Sequence, residues 1–255
     1  MKKKNERRIS VKLMVYAALL LALSVTAVLW GQETVITVSS TARDLPIYCV
    51  QRDHNVVSLT FDAAWGNEDT QQLIDILGKY NVRATFFVVG EWVDKYPESV
   101  KALHDAGHEI MNHSDTHPHM TALTEAKMIA EVESCDDKIE AITGVRPTLF
   151  RPPYGDYNNA VVGAMRDSGH FTIQWDVDSL DWKEPGADAI VERVLERVNP
   201  GSIVLFHNAA PDTPAALPRI IEGLLAKNYS FVPVSELIFT QDFTIDHTGK
   251  QIANG

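Results

Sequence analysis

From residue 56 onward, seven short runs rich in β-branched and aromatic residues alternate with helical stretches, and this alternation limits the possible folds more than any other feature. The runs are 56–61, 82–89, 108–112, 148–150, 171–176, 202–206 and 230–234. Helices are expected between them at 69–80, 98–106, 124–143, 158–168, 187–198 and 214–227, with Gly107, Gly144 and Gly169 placed where C-terminal caps belong. Strands separated by helices cannot pair through tight hairpins, so the pattern implies a parallel sheet covered by helices. A closed or nearly closed barrel and an open doubly wound sheet share this alternation. No Gly-rich phosphate loop follows the first run, which weakens a nucleotide-binding version.

The N-terminal residues follow a different rule. Residues 1–12 carry Lys2, Lys3, Lys4, Arg7, Arg8 and Lys12 against Glu6, and the uncharged, mostly apolar run 13–30 follows. At about 1.5 Å per residue such a run crosses most of a hydrocarbon layer. Positive charge ahead of it predicts a cytoplasmic segment at 1–12, a signal anchor or transmembrane helix at 13–31, and the remainder outside. A cleaved signal peptide with secretion is the alternative, with small-x-small sites at Ala22-Leu23-Ser24 and Ser24-Val25-Thr26 inside the run. Residues 32–55 read as a polar linker, 56–239 as the folded domain and 240–255 as a frayed polar tail.

Formal net charge is -11, and with residues 1–12 set aside the rest carries 17 Lys+Arg against 33 Asp+Glu. That acidic surface excludes nucleic acid as a partner held by a basic patch, and leaves a neutral or cationic glycan compatible. Cys49 and Cys135 are too few for a disulfide framework and match no thiol-rich zinc spacing. A bridge between them and two separate thiols both remain open.

The chemistry-bearing residues collect at strand ends: Asp62 after the first run, His113 after the third, Arg151 after the fourth, Asp178 and Asp181 after the fifth, His207 after the sixth. In a parallel barrel all of these fall on one rim, where active sites are built. His113 and His117 are four apart, a spacing that lets two imidazoles approach one ion. Such a pair alone is ordinarily two surface or capping histidines; its place beside an aspartate and a third histidine selects the metal reading. A divalent ion, zinc first and cobalt or manganese otherwise, suits imidazole donors and polarises an acyl oxygen. Asp62 is the expected general base, held ionised by Arg151. His207 is the expected acid, acting from a rim segment opposite the base, with Asp181 or Asp178 orienting its ring. In Arg151-Pro152-Pro153-Tyr154-Gly155 two prolines fix the backbone so that a following N–H can point at a developing oxyanion. Tyr154 and Trp182 are expected as apolar groove walls.

In order, the motifs Thr60-Phe61-Asp62, His113-Ser114-Asp115-Thr116-His117, Arg151-Pro152-Pro153-Tyr154, Asp178-Ser179-Leu180-Asp181-Trp182 and Leu205-Phe206-His207 resemble those of the polysaccharide deacetylase family, the NodB-homology carbohydrate esterases of family 4. The resemblance implies an α/β fold with a distorted (β/α)7 barrel and metal-dependent removal of acetyl groups from cell-wall or spore peptidoglycan amino sugars. It implies Asp62 as base, His113 and His117 as metal ligands, Arg151 as the residue holding the base, and His207 as acid assisted by Asp181. Tyr154, Pro153, Trp182 and Leu205 would form the oxyanion and substrate-binding surface. One position departs: the family's second aspartate after Thr-Phe, the carboxylate ligand of the metal, is Ala63 here. A glycan-binding protein of weak or no activity on the same fold is therefore the alternative. Thr60-Phe61-Asp62-Ala63-Ala64-Trp65-Gly66 after a short anchor is most similar to the sporulation-associated PdaB-like branch.

Overall fold

The computed structural model describes Met14 and residues 43–254. Segment 1–12 and all of the expected anchor at 13–31 except Met14 lie outside the described residues. No helix among the described residues is long and apolar enough to cross a membrane.

β2 (Val56–Ala63) is the centre of the fold, and every one of its eight residues is buried. It pairs in parallel with β3 (Thr85–Val88) on one side and β8 (Ser202–His207) on the other. β4 (Glu109–Asn112), β5 (Leu149–Phe150) and β6 (Phe171–Thr172) extend the sheet beyond β3, again in parallel. β7 (Val177–Asp178) pairs with β8, and β9 (Ser230–Phe231) with β2. All seven expected runs therefore form strands, the 171–176 run ending early as β6 before the chain re-enters the sheet at β7. The sheet is a curled α/β half-barrel.

Both faces of β2 are buried, an apolar one against the helices and a polar one toward the inside of the sheet. Leu59, Phe61 and Ala63 join a core with Leu73 and Leu77 of α1 (Thr70–Lys79) and with Leu217, Ile220 and Ile221 of α7 (Thr213–Ala226). Successive side chains alternate between faces, so Ser58, Thr60 and Asp62 turn inward. Phe87, Met111, Leu149, Ile173 and Ile203 form a second cluster that fills the inside of the curl below the polar rim. The remaining helices are α2 (Gly90–Lys95), α3 (Pro97–Asp105), α4 (Glu125–Thr143), α5 (Asn159–Asp167), α6 (Ala187–Arg197) and α8 (Val234–Leu237).

Two expectations are corrected. Part of the expected linker belongs to the sheet: the Ile47 amide donates to Thr172 O at 2.9 Å, Gln174 donates to Ile47 O at 2.8 Å, and Val50 donates to Gly201 O at 2.9 Å. The chain thus runs across the gap between β6 and β8, with β1 (Cys49–Val50) on the β8 side. Gly201 is required at this crossing, because at φ +84° a Cβ would meet Val50 O at 1.7 Å. The expected frayed tail is also ordered. β10 (Phe243–Ile245) and β11 (Lys250–Ala253) form an antiparallel hairpin, and β11 pairs with β1. Its polar Gln251 is fully buried because its side-chain amide donates to Phe239 O and accepts from Phe239 N. Cys49 and Cys135 are both free thiols.

Candidate active site

Asp62 and His207 sit at paired positions on the adjacent parallel strands β2 and β8, so both side chains leave the sheet on the same side. This corrects the expected placement of His207 across the rim. Base and acid candidates are neighbours because the β2–β8 register aligns the two strand ends.

Each is clamped by an opposite charge. Arg151, fully buried, donates from Nη1 to Asp62 Oδ1 at 2.7 Å and to Thr60 Oγ1 at 2.9 Å, and from Nη2 to Gln174 O at 3.1 Å. Its guanidinium lies over the Phe87 ring, 4.1 Å from the centroid. Burial works against the charged form of Asp62, but the Arg151 guanidinium, joined by His207, outweighs it and holds the carboxyl below the usual carboxylate range. Asp62 is therefore ionised and ready to accept a proton.

His207 Nδ1 lies 2.8 Å from Asp181 Oδ1. The Asp181 carboxylate also accepts from the His207 amide at 2.8 Å, the Trp182 amide at 2.9 Å and Thr213 Oγ1 at 2.7 Å. With so many donors around it, Asp181 has no room to swing away from the ring. Burial favours neutral imidazole, yet the hydrogen bond and charge of Asp181, joined by Asp62 and Asp178, raise the His207 pKa above its ordinary value. Of the two aspartates expected to orient His207, Asp181 does so. Asp178 instead lines the cavity and accepts from the Leu180 amide at 2.9 Å.

His113 Nδ1 is 2.7 Å from Arg151 O. A carbonyl only accepts, so Nδ1 carries a hydrogen, and burial, which lowers the His113 pKa, favours an unprotonated Nε2, 3.5 Å from Asp62 Oδ2. The His117 ring lies 5.0 Å from the His113 ring, and burial, reinforced by His113, lowers its pKa to about 4. Both imidazoles are thus neutral donors, and a lone pair facing a carboxylate oxygen suits a cation between them. These residues fit a loosely held divalent ion. They do not form a closed site: Ala63 contributes only a methyl, packed in the core, and among the described residues no group of three or more His, Cys, Asp or Glu side chains is arranged to hold a metal.

Around these groups lies a cavity of about 440 Å³, lined also by Trp65, Tyr154, Trp175, Trp182 and Leu205. Trp65, Tyr154 and Trp182 are each more than half exposed. Large aromatic faces left in water around a polar floor suit the apolar faces of sugar rings. Tyr154 adopts φ 60°, and its turn is tied by Gly155 N donating to Pro152 O and by Gln174 Nε2 donating to Gly155 O, both at 3.1 Å. Pro153 is buried within this turn and does not line the cavity. Sequence reasoning gave no role to Trp65 and Trp175. Trp65, three residues after Asp62, carried a usable signal, whereas the Trp175 ring takes its meaning from Arg151, which lies 5.6 Å from its centroid.

Residues 50–173 match the family model for polysaccharide deacetylase. The chain is 35% identical over 193 residues to the uncharacterized protein YlxY and 37% over 188 to the peptidoglycan-N-acetylmuramic acid deacetylase PdaC, both of Bacillus subtilis. These alignments cover 76% and 74% of the chain but only 60% and 40% of those proteins. A peptidoglycan-N-acetylglucosamine deacetylase of Bacillus cereus is 36% identical over 74% of the chain and 91% of its own length. Among solved structures, BA3943 of Bacillus anthracis, a CE4 family pseudoenzyme, superposes with a TM-score of 0.73 at 37% identity, covering 75% of this chain and 68% of that one. A mutant of BA3943 with restored enzymatic activity matches with the same TM-score. The same fold, with this rim and these relatives, makes the chain a member of the polysaccharide deacetylase family, whose peptidoglycan N-deacetylases are hydrolases of carbon–nitrogen bonds other than peptide bonds.

Proposed function

We propose that this protein hydrolyses the N-acetyl groups of cell-wall or spore peptidoglycan amino sugars. The observation that carries the reading is the side-by-side pair of Asp62, bonded to Arg151, and His207, bonded to Asp181, at the floor of one aromatic-walled cavity. Asp62 takes a proton from the attacking water, whose oxygen bonds to the acyl carbon. The turn at Tyr154 supplies an amide to the developing oxyanion. His207 then gives its proton to the leaving nitrogen as the carbon–nitrogen bond breaks, yielding acetate and a free amine. When bound by His113 and His117, a divalent ion, zinc by imidazole preference or else cobalt or manganese, supplies further polarisation of the acyl oxygen. In this reading the half-barrel is a distorted (β/α)7 barrel that the 13–31 run anchors to the membrane on its outer side. The Ala63-Ala64-Trp65-Gly66 sequence favours the PdaB-like branch and a role in sporulation.

A second reading, a glycan-binding protein of low activity, is favoured by Ala63 and by the likeness to a pseudoenzyme. Acetate release from chitooligosaccharides and peptidoglycan, measured with added zinc, cobalt or manganese, separates the two. Hydrolysis that falls by about 10²- to 10⁴-fold in Asp62→Asn supports the enzyme. Glycan binding without acetate release leaves the binding protein.

A further inference from the structure

The loop from His113 to His117 is held in a conformation that its own residues disfavour. Ser114 and His117 both take positive φ, 67° and 58°, a region that non-glycine residues rarely adopt. Something outside the loop must hold it there. One support is the start of α2: Gly90 N donates to Ser114 O and Glu91 N to Asp115 O, each at 2.9 Å. Gly90 permits this approach, since a Cβ there would meet Asp115 Oδ1 at 2.0 Å.

The other support comes from α4. Glu131 Oε2 accepts from the Asp115 amide at 3.0 Å and the Thr116 amide at 2.8 Å, and Oε1 accepts from Thr116 Oγ1 at 2.9 Å. Beneath it, Asn112 donates to Asp136 Oδ1 at 2.7 Å and to Val132 O at 2.8 Å, while its carbonyl accepts from Ser114 N at 2.7 Å. Ser114 Oγ accepts the His117 amide at 3.0 Å. Among the described residues the His117 imidazole makes no hydrogen bond like the one that pins His113; its ring meets Tyr154 edge-on at 4.5 Å and Trp65 at 5.9 Å, so its direction is set by its backbone together with these ring contacts.

We propose that Glu131 is a positioning residue, whose carboxylate grips the Asp115–Thr116 backbone and so aims His117 into the cavity opposite His113. Glu131 touches neither substrate nor reacting atoms, and it lies fourteen residues beyond His117 on a helix that none of the five motifs includes. One carboxylate here engages two successive amides and a hydroxyl, a geometry that fixes the orientation of the loop as well as its distance. Only the kinetic part of the test rests on the deacetylase reading.

The test compares the wild type with Glu131→Ala, Glu131→Gln and a control, Glu140→Ala, which removes from the same helix a carboxylate whose partner among the described residues is Arg146. Amide hydrogen exchange at Asp115 and Thr116, zinc affinity of the purified protein by calorimetry, and acetate release are measured on each. In Glu131→Ala, exchange at both amides is expected to rise at least about 10-fold and zinc affinity to fall about 10- to 100-fold, the range for an outer support of a metal ligand. The kcat is expected to fall with KM nearly unchanged, with partial recovery in Glu131→Gln and no change in Glu140→Ala. Unchanged exchange and zinc affinity in Glu131→Ala would overturn the proposal, as would an equal effect of Glu140→Ala. If the wild type releases no acetate while exchange and affinity respond as expected, the deacetylase reading fails and the positioning role stands.

Discussion

Two carboxylates in this site do different work because their partners differ. Asp62 faces a guanidinium that cannot lose its proton, so its own proton is the one displaced, whereas Asp181 faces an imidazole and stabilises the proton there. The pH dependence follows from the two directions. Asp62, with a lowered pKa, is ionised through the neutral range and is lost only well into acid. His207, with a raised pKa, keeps its proton beyond pH about 6.5, the ordinary imidazole value, and activity declines on the alkaline side as it deprotonates. Asp181→Asn is therefore expected to move the alkaline limb of kcat/KM to lower pH, and an unmoved limb would remove His207 from the acid role. Asp62, Arg151, His113 and His207 were all legible in the sequence because strand ends concentrate chemistry on one rim. The choice between Asp178 and Asp181 was not, because three residues along an irregular segment decide which carboxylate turns under the ring. Position 63 offers a second test. Ala63→Asp places a carboxylate in a core position that is 1% exposed, so it should lower the thermal midpoint of the metal-free protein and tighten zinc binding about 10-fold or more. Calorimetry with zinc checks this, and an unchanged dissociation constant would mean that the missing carboxylate does not limit metal binding.

At the scale of elements, the central strands β2, β3 and β8 were legible because each is a compact run rich in β-branched or aromatic residues and almost wholly buried, and the shorter strands followed from their alternation with helices. The closing elements were not, for a physical reason. Ile47 and β1 contribute few residues to the sheet, and the hairpin of β10 and β11 is largely polar, so neither carries a periodic signal. Their stability comes from one another: β1 supplies the edge on which β11 pairs, and Gln251 holds Phe239 from both sides. Removing residues 240–255 would leave the β1 edge bare and the Phe239 amide and carbonyl without their Gln251 partners. Phe239 is half-buried, so each of these lost hydrogen bonds costs about 0.5–1.5 kcal/mol. The truncated protein is expected to unfold at a denaturant concentration clearly below that of the full chain. Equal midpoints would mean that the hairpin is a passive appendage.

For the molecule as a whole, charge separates substrates that the cavity alone does not. With 33 Asp+Glu against 17 Lys+Arg beyond residue 12, the protein carries a strongly negative field, and Asp62 and Asp178 lie within the cavity itself. A neutral chitooligosaccharide feels none of that field, so its turnover should be nearly independent of ionic strength. Glycan fragments bearing free peptide carboxylates are repelled on approach, and added salt shortens the reach of that repulsion from about 10 Å at 0.1 M to about 3 Å at 1 M. Their kcat/KM is therefore expected to rise with salt while that of the neutral oligomer stays flat, and the difference should appear mainly in KM, because repulsion acts before the sugar is seated. Parallel assays on the two substrates from low to high sodium chloride decide the matter. A fall for the anionic fragments would require a cationic docking surface, which the charge of residues 13–255 argues against.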